Sequence, residues 1–508
     1  MTQWGKWWLV MLVGVAAVLR FPGLFANSFH PDEALFASWA RLIATWRDPL
    51  LQTQLVDKPP LLFYLQAAWY PLFGSVEWAA RLPNFIASLV LIPLTGRLAW
   101  QLYQQELTAV LSAAFVTLSP LAIQFSSTAF IDPLLTALLV ATLVAGNLSH
   151  SRPSPSKIQN PKSKIQNPAW LWFGLAAAAK YQAWLFLPLV VGLAVLRGWR
   201  PAEWRRWFLG LAAILVLLAL WQVARAGRLD LWAAQMESFG GLRPAWSWEL
   251  WPRLQAWARV WRYVFASPAV GFGLLLLSPL FLALLIHDRD RPTALDQLLA
   301  LFLAAYILLH WLVAAPAWDR YVLPAVPILG LLLARLATRL LHLGQSTLEG
   351  AGIRGLGDLS WSLLLAGWLL LQTPAALQAR LGAFPVGGRP TADDGAAHIA
   401  AFLADAPYGT VLYDHWYSWQ WRYHLFDSRV YVSWFPHPAA LAEDLGVFGG
   451  NGQPRYLVLP TSPAALPVEQ AVVAAGFSLQ PIPVDHPGNR PLSMQLYQIR
   501  PMNTDGQD

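Results

Sequence analysis

The chain has 508 residues, a formal charge of +7 and no cysteine. Hydrophobic residues make up 56% and charged residues 12%, about half the charged share of a soluble protein. That balance excludes an ordinary soluble globule, disulfides, thiolate metal sites and a cysteine nucleophile, and the net positive charge points to basic loops against anionic lipid, with no nucleic-acid partner.

The chain starts with Lys6 and an apolar run from Trp7 that lacks a small-residue cleavage site, so it reads as a retained first helix near 7–25. Further spans are expected near 82–103, 107–126, 131–148, 169–196, 207–224, 264–286, 297–315, 321–340 and 359–377. Leu107–Ile131 and Val264–Ile286 contain no charge, and each exceeds the ~20 residues that cross a hydrocarbon core. The 29 tryptophans suit the membrane–water interface.

Basic residues set the orientation. Arg152, Lys157, Lys162 and Lys164 share one loop, and Arg197, Arg200, Arg205 and Arg206 another; Arg289 with Arg291, and Arg339 with Arg354, mark two more. The positive-inside rule puts all four in the cytoplasm. Both flanks of 169–196 are then cytoplasmic, which requires a hairpin of two short helices with its tip near Lys180. The expectation is eleven crossings in a plasma membrane, a cytoplasmic N-terminus and an outward C-terminus. The direct repeat SKIQNP at 156–161 and 163–168 falls in a cytoplasmic loop and reads as a tolerated insertion.

The transmembrane domain is placed at 1–378 and an outward domain at 379–508. The outer loop 26–81 holds helical patterns at 32–47 and 59–73 that suit the interface, and a second outer loop, rich in Trp and Arg, covers 225–262. In the polar C-terminal part, Thr410–Asp414, Arg429–Ser433 and Arg455–Pro460 read as buried strands. They alternate with helical stretches at 394–405, 438–446 and 464–475, which predicts a small α/β domain.

Ionisable residues cluster at the outer boundary: His30-Pro31-Asp32-Glu33, Asp57-Lys58-Pro59-Pro60, Arg81-Leu82-Pro83, Asp132-Pro133, Lys180 and Asp319-Arg320-Tyr321. A helix N-terminus alone explains Asp32 and Glu33, and snorkelling explains Arg81; a shared polar site accounts for the set. Acids there suit a general base for an acceptor hydroxyl. Bases there suit a lipid phosphate whose charge grows as it leaves.

The strings Asp32-Glu33-Ala34, DKPPLLFYLQAAWYPLFG at 57–74, EWAARLP at 77–83, FIDPLLTALLVATL at 130–143, AAAAKYQAWLFLPL at 176–189 and RYVLPAVPIL at 320–329 resemble bacterial GT-C glycosyltransferases of family 39. This is the protein O-mannosyltransferase and aminoarabinose-transferase group, and the likeness covers roughly residues 1–340. It implies a GT-C membrane fold and transfer of a sugar, with inversion, from a polyprenyl-phosphate donor to a lipid, glycan or protein acceptor. It also implies Asp32 as the catalytic carboxylate, Asp132 as a supporting acid, and Glu33, Asp57, Lys58, Arg81, Lys180, Arg320 and Tyr321 as substrate contacts. Asp57 stands where the group often has Glu, and Ala179-Lys180-Tyr181 replaces its usual Thr-Lys-Gly.

No cofactor is expected. His30 with Asp32 and Asp57 forms a lesser candidate for a divalent cation, without ligand spacing to support it. His310 reads as an interior residue, and His415, His424 and His437 as surface residues. The aromatic run Trp416–Trp421 reads as the packing face between this domain and the membrane core, in preference to sugar stacking. The glycine pairs at 240–241, 387–388 and 449–450 lack a nucleotide-loop context. A transporter or flippase of a lipid-linked substrate is the rival reading. It requires midplane charges and internal symmetry, and the sequence offers neither.

Overall fold

A computed structural model describes residues 1–148, 168–227, 243–287, 291–350, 357–484 and 492–502. The SKIQNP repeat, residues 228–242 of the second outer loop, Arg289 and Arg354 lie outside the described residues. Two compact units emerge, one of 1–27 with 40–389, the other of 28–39 with 390–508. The sequence places one boundary at 378; compactness places it after Arg389 and assigns the segment that carries Asp32 and Glu33 to the second unit.

The first unit is helical. α1 (Gln3–Ala26) is capped by the Thr2 side chain. α2 (Pro31–Ala44) runs from the second unit into the first. α3 (Leu61–Phe73) and α4 (Glu77–Tyr103) follow. The expected span 107–126 is not one helix: α5 (Glu106–Leu118) and α6 (Pro120–Ser126) meet at a 60° bend. Pro120 explains the bend, because it forces the preceding Ser119 out of the helical region. Next come α7 (Asp132–Leu148), α8 (Ala169–Ala179), a 3-10 turn (Tyr181–Phe186), α9 (Leu187–Arg197) and α10 (Pro201–Ala226).

The later elements are α11 (Ser247–Trp261), α12 (Pro268–His287), α13 (Arg291–Leu312), a 3-10 turn (Asp319–Ala325), α14 (Val326–Gly350) and α15 (Gly357–Arg380). α4 packs on α1, α5 and α7, α8 on α7 and α10, and α14 on α5. Among the described residues, five helices are long and apolar enough to cross a membrane, and two bent pairs bring the number to seven. Shorter apolar helices such as Ala169–Ala179 add to them, as a multi-pass membrane protein requires.

The second unit contains a five-stranded sheet of order β2-β1-β3-β5-β4. Its strands are β1 (Val411–Asp414), β2 (Tyr431–Trp434), β3 (Arg455–Pro460), β4 (Phe477–Ile482) and β5 (Met494–Pro501). β2, β1 and β3 run parallel; β5 and β4 add antiparallel. One face packs on α16 (Ala396–Leu403) and α17 (Ser418–His424) through Ile399, Leu403, Tyr417, Trp421, Leu412 and Val458. The other packs on α18 (Pro438–Phe448) and α19 (Leu466–Ala474) through Leu441, Leu445, Val468, Leu457 and Leu459. The expected buried strand at 429–433 is instead an edge strand, with Tyr431 69% and Trp434 57% exposed.

Candidate functional site

Asn84 on α4 builds the first part of the site. Its amide donates to the carbonyls of Thr128 (2.8 Å) and Phe130 (2.5 Å), which fixes the turn leading into α7. That turn delivers Asp132 to the first turn of α7, where the helix dipole favours a carboxylate. α8 stops at Lys180, whose backbone is extended (φ −156°, ψ 138°). This break aims a buried ammonium at Asp132, with Nζ to Oδ1 at 2.6 Å.

The 3-10 turn at Asp319–Ala325 closes the site from a third direction. Lys180 Nζ lies 4.5 Å from the centre of the Tyr321 ring. Tyr321 is held by its carbonyl, which accepts from the Tyr306 hydroxyl at 2.7 Å, and Gln182 donates to that same hydroxyl. His310 packs on the Tyr306 ring at 4.2 Å and the Tyr321 ring at 5.7 Å, its Nδ1 2.8 Å from the Tyr306 carbonyl oxygen. The Arg320 guanidinium stacks over the rings of Trp318 (4.3 Å) and Phe130 (4.9 Å). Cation–π contacts of this kind hold a cation over the ring face. Lys180 feels the charges of Asp132, Arg320 and Lys58 together.

Lys58 pairs with the neighbouring Asp57, both partly exposed. The loop before them is pinned from α10: Arg225 donates to the carbonyls of Gln54 (3.2 Å) and Val56 (3.4 Å). Trp221 donates to the Tyr64 hydroxyl at 3.1 Å, and that hydroxyl donates to Pro49 at 2.8 Å. An apolar cavity of about 410 Å³ starts at the residues that follow both lysines. Its walls include Pro59, Pro60, Tyr181, Trp184, Leu215 and Trp221.

Arg81 is buried and donates to the Leu24 carbonyl (3.0 Å) and to Glu77 (2.9 Å), joining α4 to the end of α1. Asp32 and Glu33 belong to the second unit. Glu33 is buried and accepts from the His30 backbone N–H at 3.0 Å, while His30 Nδ1 accepts from the Asp32 N–H at 3.2 Å. These reciprocal bonds cap α2. The Asp32 side chain, in the same first turn, is half-buried. Among the described residues no three His, Asp or Glu side chains group as metal ligands.

In the second unit, Tyr417 and Trp421 pack into the core of the unit itself, and His415 bonds the Phe435 carbonyl at 2.7 Å. The sequence reading did not single out Asn84, Gln182 or Tyr306. For Asn84 and Gln182 the usable signal is an amide inside an apolar run, since a buried amide must find partners; Tyr306 carries no such signal.

Residues 57–224 match the family described as dolichyl-phosphate-mannose-protein mannosyltransferase. An undecaprenyl phosphate-α-4-amino-4-deoxy-L-arabinose arabinosyl transferase of Erwinia tasmaniensis is 25% identical over 404 residues, which is 74% of this chain and 68% of that one. One of the same description from Pseudomonas aeruginosa is 26% identical, over 72% of this chain and 66% of its own length. The chain thus spans about two thirds of the length of these relatives. The crystal structure of ArnT from Cupriavidus metallidurans bound to undecaprenyl phosphate superposes with a TM-score of 0.62 at 17% identity, covering 97% of this chain and 98% of that one. An oligosaccharyltransferase of Archaeoglobus fulgidus superposes at 0.55 and 12% identity, covering 90% of this chain and 69% of that one. The fold is therefore the GT-C fold that the motifs resemble.

Proposed function

We propose that this chain is a membrane glycosyltransferase that moves a sugar from a polyprenyl-phosphate donor to an acceptor hydroxyl, with inversion. The observation that carries the reading is the placement of Lys180 and Arg320 beside Asp132 and Tyr321, next to an apolar cavity that starts at Pro59 and Tyr181. A cationic pocket joined to an apolar groove matches a lipid monophosphate: head on the cations, tail in the groove. The likeness to aminoarabinose transferases makes an amino-pentose on undecaprenyl phosphate the first donor to try.

In the proposed reaction the Asp32 carboxylate takes the proton of the acceptor hydroxyl. The oxygen attacks the anomeric carbon as the bond from that carbon to the phosphate oxygen breaks. The electron pair leaves on the phosphate, where Lys58, Lys180 and Arg320 stabilise its second charge. Asp132 holds the Lys180 ammonium in place before the donor arrives, and Tyr321 supports it from the ring face. Glu33, by capping α2, keeps Asp32 in the first turn. Asp57 pairs with the Lys58 ammonium and holds it in place. The chain is further proposed to cross the membrane eleven times, with its N-terminus in the cytoplasm and the second unit outside.

The test is transfer from labelled polyprenyl-phosphate sugars by wild type and by Asp32→Asn. The expected result is consumption of one donor by wild type and a fall of ~10²-fold or more in the variant, as loss of a general base predicts. Equal turnover by both assigns the base to another residue. Transport of the donor without cleavage would favour the flippase reading.

A further inference from the structure

Asp319 was not among the expected substrate contacts, yet it opens the turn that carries Arg320 and Tyr321. Both of its carboxylate oxygens are engaged. One accepts the backbone N–H of Arg320 at 2.8 Å, and the other accepts the N–H of Gly387 at 2.8 Å. Gly387 lies in the segment that follows α15, far along the chain.

That segment is gripped from its other side as well. Gln124 on α6 donates to the carbonyls of Phe384 (3.1 Å) and Gly387 (3.2 Å) and accepts from the Phe384 N–H (3.0 Å). Only glycines allow so close an approach. A Cβ at position 388, where φ is +80°, would sit 2.2 Å from the Gln124 carbonyl oxygen. A Cβ at position 387 would sit 2.6 Å from the Phe125 ring. Phe125 in turn packs on Phe130 with ring centres 5.8 Å apart, and Phe130 is one of the two rings that carry the Arg320 guanidinium. The 384–388 segment therefore reaches Arg320 by two routes, through the Asp319 carboxylate and through the Phe125–Phe130 stack.

We infer that Asp319 is a positioning residue: through it the 384–388 segment holds Arg320 where the guanidinium meets the phosphate of the lipid donor. The inference rests on the proposed function for the role of Arg320. A carboxylate that merely closed a helical turn would need one acceptor bond. Asp319 makes two, and the second goes to a segment outside that turn.

The experiment measures binding of undecaprenyl monophosphate to the full chain in nanodiscs, with donor KM, kcat and the thermal midpoint beside it. Asp319→Ala is expected to weaken lipid-phosphate binding and raise donor KM by about tenfold, the scale of one charge-assisted hydrogen bond. The kcat should hold, and the midpoint should fall only modestly, as two backbone N–H groups lose their acceptor. Asp319→Asn keeps an acceptor for one of the two bonds and should recover part of the loss. In an Arg320→Ala background, Asp319→Ala should add little, because two residues acting as one unit are non-additive. An equal further loss in that background, or unchanged binding in Asp319→Ala, overturns the inference. A fall in kcat and midpoint with unchanged KM also overturns it, by assigning Asp319 to stability alone. If Asp319→Ala does not fold, Asp319→Asn serves for the same comparison. Wild type that binds no lipid phosphate refutes the proposed function instead.

Discussion

Lys180 and Asp132 lie 2.6 Å apart, and both are buried. Removing one partner of such a pair leaves an uncompensated charge, at a cost of about 3–5 kcal/mol. Lys180→Met alone should therefore lower the thermal midpoint in detergent, and adding Asp132→Asn should restore most of it. The double variant should remain inactive in transfer, which separates stability from chemistry. Asp48 gives a pH prediction outside the spans. Burial pushes its carboxyl up, but donation by the Thr53 hydroxyl and by the N–H groups of Thr53 and Gln52 outweighs it, and the net shift is below the usual 3.8. A depressed carboxyl stabilises the fold above its unfolded value and loses that contribution as pH falls through the folded value. The midpoint gap between wild type and Asp48→Asn should be full near neutrality and close below about pH 4. Asp132 and Lys180 were legible because a lone charge in an apolar run has few uses. Glu33 and Arg81 carry the same signal and also make helix-end bonds, which a sequence does not reveal.

Helix ends inside a membrane must satisfy their carbonyls from within the protein. The bend between α5 and α6 does this with Arg20 of α1, which is buried and donates to the carbonyls of Val116 (2.9 Å) and Thr117 (3.2 Å). Arg20→Met should cost about 1–3 kcal/mol for each acceptor left bare, read as a lower midpoint; an unchanged midpoint would mean other groups satisfy them. The sequence reading ran 107–126 as one span because apolar periodicity continues through Ser119-Pro120. Strand β3 was legible from its run of Tyr456–Leu459 between turn residues. β4 and β5 were not: β4 contains Pro481 and has an exposed, irregular burial pattern, and α17 looked like a mere aromatic cluster. Long-range pairing defines those elements, and pairing leaves little local signature.

On the scale of the molecule, the proposed orientation is open to direct test because the chain has no cysteine. Ser156→Cys in the basic loop should react with an impermeant maleimide only after the cytoplasmic face is opened. Thr461→Cys in the second unit should react in intact cells, and the reverse pattern would invert the topology. The division of the chain adds a constraint on synthesis. Ser28 and Phe29 belong to the second unit: the Asp393 N–H donates to the Ser28 hydroxyl at 3.0 Å, and Phe29 packs on Tyr423 at 4.9 Å. The Ser28–Asp393 bond joins residues 365 positions apart. A ribosome adding ~5–20 residues per second thus finishes α15 before it reaches Asp393 and Tyr423, the partners of the head of α2. A chain cut short after α15 would leave that head without Asp393 and Tyr423, so the second unit packs around a segment made hundreds of residues earlier.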